Sequence, residues 1–168
     1  MTIQTGDHLP EAALQRIDGG VQTVDTRALF DHKKIVIFAV PGAFTPTCSE
    51  RHLPSYIAHM DEFRRRGVEV ACIAVNDPFV MQAWGKSQNA PADLLLLADG
   101  NGDFTRALGL EMDASAYGMG KRSKRYALYA EDGVAKKVFV EAPGEFRVSS
   151  AEHMLQELPP SPTAGGTS

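Results

Sequence analysis

Two apolar runs, "KIVIFAV" over 34–40 and "VEVACIAV" over 68–75, constrain this chain more than any other feature in it. Both are rich in β-branched residues and nearly free of polar interruption. Such a strand is buried on both faces, the condition of a strand inside a parallel sheet. Between the runs, Leu53, Tyr56, Ile57, Met60 and Phe63 recur at helical spacing. The basic triplet Arg64-Arg65-Arg66 and then Gly67 stand where a helix ends. The pattern predicts a helix over 48–66 and a right-handed β-α-β crossover.

The remaining segments extend this unit. Residues 11–25 read as two short strands around Asp18-Gly19-Gly20. Asp77 and Pro78 supply an N-cap and a first-turn proline for a helix to about Lys86. "LLLLAD" (94–99) reads as a strand and "DFTRALG" (103–109) as a short helix. Asp132-Gly133 lies between "RYALYAED" and "VAKKVFVE", a hairpin signal. A last helix falls in "SSAEHMLQEL", with Ser149 and Glu152 spaced as a capping box. The Pro/Gly/Ser/Thr-rich "PPSPTAGGTS" (159–168) is expected to be a disordered tail behind a single domain over 1–158. The element order matches an α/β thioredoxin-like core with an N-terminal β extension and an inserted strand–helix element. Other α/β folds begin in the same way.

Composition narrows the function classes. The formal charge of −4 leaves no basic footprint for nucleic acid or an anionic membrane, and in an acidic chain "KRSKR" (121–125) is a weak signal for one. No apolar run approaches the roughly 18 residues of a membrane helix. "MTIQTGDHLP" has neither a basic n-region nor an apolar h-region, so the expected location is the cytoplasm. The chain has two cysteines, Cys48 and Cys72, and a reducing compartment keeps both as thiols.

Cys48 sits in "VPGAFTPTCSE", where a strand ends and a helix starts. It is a buried hydrophobe, half of a disulfide, a metal ligand or a nucleophile. Unpaired N–H groups at a helix start favour a thiolate, and ligands of α/β sheets gather at the carboxyl ends of strands. No C-x-x-C is present, since Thr45 and Arg51 occupy the flanking positions. His52 lies one turn on from Cys48, but no second Cys/His pair completes a metal site, and it reads as a partly exposed pocket wall. If the strand after "GKRSKRY" runs antiparallel to the first, Arg125 arrives beside Cys48, with Arg122 able to reach the same region. Lys121 and Lys124 read as solvated. The Asp99, Asn101 and Asp103 triplet mimics a calcium loop, but Phe104 and Leu110 stand where that loop needs Gly and Glu. Trp84, with Phe79 and Val80, reads either as helix core or as an exposed apolar edge.

"PGAFTPTCSERHLP" resembles the active-site signature of the peroxiredoxins, P-x-x-x-T-x-x-C, in its type II/peroxiredoxin 5 form. "VNDPFVMQAW", "LLADGNGDFTRALGLE", "GKRSKRYAL" and "VSSAEHML" are similar to type II sequences, so the resemblance runs from about Thr5 to Leu158. It implies a thiol peroxidase with no cofactor. Cys48 would be the peroxidatic cysteine, passing through a sulfenic acid, and Pro41, Thr45 and Arg125 would complete the catalytic set. It also implies peroxide substrates, a homodimer formed near the active site, and glutathione with glutaredoxin, or thioredoxin, as reductant. Animal relatives place a resolving cysteine near the last helix, where this chain has Ser149 and Ser150. Cys72 is then the internal candidate, and a strand position argues against it. A redox-sensing or chaperone-like module on the same fold is the rival reading.

Overall fold

The computed structural model describes residues 2–158, so the tail expected over 159–168 lies outside the described residues. The chain opens with β1 (Ala13–Ile17) and β2 (Val21–Asp25), then α1 (Thr26–Phe30) and β3 (Lys34–Ala39). A π-type turn at Cys48–His52 leads into α2 (Leu53–Ala58) and α3 (Met60–Arg65). Next come β4 (Glu69–Ala74), α4 (Pro78–Ser87), β5 (Leu94–Ala98) and α5 (Asp103–Leu108). A small hairpin, β6 (Glu111–Asp113) and β7 (Lys121–Ser123), precedes β8 (Tyr126–Glu131), β9 (Val134–Val140) and α6 (Ala151–Glu157).

One seven-stranded sheet has the order β2-β1-β5-β4-β3-β8-β9. β3, β4 and β5 are parallel at its centre, as the two apolar runs require, and β8 lies antiparallel to β3. The N-terminal hairpin joins through β1 on β5, and the inserted strand is β5 itself. Side chains of β3 alternate between two cores. Val36 and Phe38 pack with Tyr56, Phe63, Trp84 and Met154 on one face, while Ile35 and Ile37 pack with Phe30, Phe104 and Leu108 on the other. Phe38 is fully buried, and a side chain of that size contributes about 1.5–3 kcal/mol by leaving water.

Three expectations shift. The single helix over 48–66 is broken twice. The Leu53 N–H donates to the Cys48 carbonyl, an i→i+5 bond. The next residue, Pro54, has no N–H to give Glu50, which stops an ordinary first turn from continuing. At His59 the backbone leaves helical geometry (φ −113, ψ 11) while its Nδ1 lies 2.8 Å from the Ser55 carbonyl. The cap of α6 is Ser150, not Ser149: its hydroxyl accepts from the His153 N–H at 3.1 Å. Ser149 is engaged elsewhere. Trp84 is core and Phe79 is 64% exposed, so the two readings of that segment divide between them. The Asp99 carboxylate accepts from the N–H groups of Phe104 and Thr105 and from the Thr105 hydroxyl, closing a polar turn before α5.

Candidate active site

The loop after β3 is fixed by its own Thr45 and by Asn76, which follows β4. The Asn76 side-chain oxygen accepts from the Ala43 N–H at 3.0 Å. The Thr45 hydroxyl donates to the Gly42 carbonyl at 2.6 Å, and the Thr45 carbonyl accepts from the Ser49 N–H at 2.9 Å. Phe44 holds a left-handed φ of 66, a costly conformation for a bulky residue. Gly42 is tightly enclosed: a β-carbon would lie 3.0 Å from Met119 Cε, 3.2 Å from Thr45 Cγ2 and 3.3 Å from Arg122 Nη1. Arg122 therefore reaches the loop at Gly42, and its Nε donates to the Met119 carbonyl at 2.9 Å.

Cys48 follows this loop and is wholly buried. The register Ala39↔Tyr126 carries Arg125, just before β8, to the carboxyl end of β3. Arg125 Nη2 donates to Cys48 Sγ at 3.2 Å. Its Nη1 lies 2.9 Å from His52 Nδ1. Pro41, Thr47 and Arg125 line a cavity of about 350 Å³ with Met112, Tyr117 and Pro143. Arg125 thus meets Cys48 directly and shares the cavity with Pro41, while Thr45 is bonded within the loop to Gly42. Lys121 and Lys124 are exposed, but Lys124 also lines this cavity.

His52 departs from expectation. It is fully buried, not partly exposed, because its ring packs against Phe38 and Phe146, each at 4.9 Å between centroids. Its Nε2 lies 3.0 Å from the Ser149 carbonyl, which can only accept, so Nε2 carries the hydrogen. Nδ1 is then the acceptor for Arg125, which can only donate. Burial first, and the Arg125 charge second, hold the His52 pKa well below the ordinary imidazole value.

The network continues outward. The Ser149 carbonyl also accepts from the Tyr56 hydroxyl at 2.9 Å. The Ser149 N–H and hydroxyl both donate to Glu141, at 2.8 and 2.6 Å. On the far side of Cys48, Trp84 Nε1 donates to the Ser49 hydroxyl at 2.9 Å. Sequence reasoning missed Ser149, Glu141, Asn76 and Ser49. The spacing from Cys48 did mark His52, but not its burial or its bond to Arg125.

Cys72 is buried at the middle of β4, paired in register with Phe38 and Leu96. Burial, and then the charge on Cys48, push its thiol pKa well up, against the opposing pull of Arg125. Both cysteines are free.

A buried sulfur under a guanidinium, beyond the carboxyl end of the inner strand β3 of a thioredoxin-like sheet, defines a thiol-based oxidoreductase. The Redoxin family model matches residues 4–155. Peroxiredoxin-2E-2, chloroplastic, of Oryza sativa subsp. japonica is 52% identical over 164 residues, covering 94% of this chain and 73% of that protein. The crystal structure of reduced Prx3 in complex with H2O2 from Vibrio vulnificus superposes with a TM-score of 0.89 at 50% identity, covering 93% and 96% of the two chains. That of peroxiredoxin 5 from Alvinella pompejana gives 0.76 at 38% identity, covering 83% and 90%. The chain belongs to the redoxin family, as a peroxiredoxin of the type II, peroxiredoxin 5-like kind. It is a thiol peroxidase with an antioxidant role.

Proposed function

We propose that Cys48 is the peroxidatic nucleophile of this peroxidase, with Arg125, Thr45 and Pro41 as its catalytic partners. The 3.2 Å bond from Arg125 Nη2 to Cys48 Sγ carries the reading. The thiolate attacks the terminal oxygen of a hydroperoxide. The S–O bond forms as the O–O bond breaks, and the electron pair leaves on the other oxygen, which takes a proton and departs as water or an alcohol. Cys48 becomes a sulfenic acid. As charge moves from sulfur to the leaving oxygen, the Arg125 fork stands ready to stabilise it. The Thr45 hydroxyl gives its hydrogen to Gly42, so its lone pairs are free to accept from the peroxide O–H. Pro41 offers no N–H and walls the cavity.

An external thiol restores Cys48 by condensing with the sulfenic acid, releasing water, and a second thiol frees the mixed disulfide. Glutathione with glutaredoxin, or thioredoxin, fills this role. The buried, protonated Cys72 and the serines at 149 and 150 support an outside reductant over an internal one. A homodimer, as the type II resemblance implies, is part of this proposal. Two free thiols fit the reducing cytoplasm. Peroxide consumption with each reductant tests the scheme: Cys48→Ser abolishes turnover and Cys72→Ser retains it. Undiminished turnover in Cys48→Ser removes the nucleophile from its role, and lost turnover in Cys72→Ser returns Cys72 as the resolving group.

A further inference from the structure

The Glu141 carboxylate is buried and serves one short stretch of chain. Its Oε2 accepts from the N–H groups of Arg147, Val148 and Ser149, each at 2.8 Å, and from the Ser149 hydroxyl at 2.6 Å. Its Oε1 takes a second bond from the Arg147 N–H at 2.9 Å. That stretch lies outside any helix or strand, so it has no ladder of its own to hold it. The buried Ser149 carbonyl of this stretch receives His52 Nε2 and the Tyr56 hydroxyl. His52 in turn accepts from Arg125 Nη1. Glu141 also acts on Arg125 from the other end, since its main-chain N–H donates to the Arg125 carbonyl at 2.9 Å.

We propose that Glu141 is a positioning residue for peroxide reduction, aiming the Arg125 guanidinium at Cys48 through the Ser149 carbonyl and the neutral His52 ring. The proposal rests on the reading of Cys48 and Arg125 given above. Burial opposes the charge on Glu141, but the bonds from Ser149, Arg147 and Val148 outweigh it and hold its pKa below the usual carboxylate value. The carboxylate is thus present across the neutral range, when Ser149 must be held. Glutamine keeps the shape but replaces one acceptor oxygen with an NH2 that faces N–H donors. The 147–149 stretch then loosens, and His52 and Arg125 lose their fixed orientation. Misplacement of a reacting group by about 1 Å can cost up to a hundredfold in rate.

The test is a double-mutant cycle on the second-order rate of Cys48 oxidation by hydrogen peroxide, using Glu141→Gln, Arg125→Ala and the pair, well below each variant's Tm. Glu141→Gln is expected to slow oxidation about tenfold or more alone, and by less than about twofold on top of Arg125→Ala, because coupled residues are non-additive. An equal loss in both backgrounds, or no loss in either, overturns the proposal and leaves the Arg125 assignment standing. An Arg125→Ala variant that oxidises at the wild-type rate overturns both. If Glu141→Gln does not fold, Ser149→Ala withdraws only the 2.6 Å hydroxyl donor. Its smaller rate loss must likewise vanish in the Arg125→Ala background, and a loss that persists there overturns the proposal.

Discussion

Arg125 Nη1 lies 2.9 Å from His52 Nδ1, and that bond exists only while His52 is neutral. A guanidinium cannot accept, so a proton on Nδ1 would set two donors against each other. The guanidinium that bonds Cys48 is therefore held by an imidazole that the fold keeps uncharged, by burial and by Arg125 itself.

This arrangement predicts an acid weakness. The His52 pKa is lower folded than unfolded, so below about pH 6.5 the unfolded chain binds a proton that the native one does not. Stability is fully present above that pH and falls as the pH drops toward the folded pKa, by at most about 1.4 kcal/mol per unit from this residue. Urea unfolding of wild type and His52→Gln between pH 7 and 5 measures it. The variant is less stable at pH 7 but loses less on acidification; parallel losses would remove His52 as the cause.

Arg125→Ala is expected to slow peroxide reduction by about a hundredfold to a thousandfold, the usual cost of one donor to developing charge. Arg125→Lys should not restore the rate. A single ammonium lacks the planar fork that reaches Cys48 and His52 together. Stopped-flow oxidation of the reduced protein reports both, and a lysine variant at wild-type speed would show that charge alone suffices.

At Gly42 an added methyl would meet Met119 Cε at 3.0 Å and Thr45 Cγ2 at 3.2 Å. Met119 is the end of a flexible side chain and can yield. Thr45 cannot move without disturbing its 2.6 Å bond to the Gly42 carbonyl. Gly42→Ala should destabilise by about 1–3 kcal/mol through overpacking and slow peroxide reduction more than it slows alkylation of Cys48. Equal slowing of the two would place the effect outside Thr45.

The sheet was legible because its evidence is local. Continuous β-branched runs at 34–40 and 68–75 and the Asp132-Gly133 turn each declare their structure within a few residues. Short elements were not: α1 and the hairpin of β6 and β7 span five residues or fewer, too few for a period to show. The helix after Cys48 read as continuous because its apolar spacing is right, while Pro54 and the His59 side chain break the backbone beneath it. Cys48 and Arg125 were placed together by topology, since an antiparallel β8 must start where β3 ends. Nothing local marks Ser149 or Glu141, because their role comes from a carbonyl meeting a ring 97 residues away in sequence.

The central claim is that the Cys48 sulfur, paired with Arg125, takes one oxygen from a peroxide. Mass spectrometry of the reduced protein after one equivalent of hydrogen peroxide, with a sulfenic-acid trap present, measures it directly. The account predicts trapped oxygen on the Cys48 peptide, none on Cys72, and a trapping rate that collapses in Arg125→Ala. Oxygen on Cys72, or a Cys48 rate unchanged by the loss of Arg125, would contradict it.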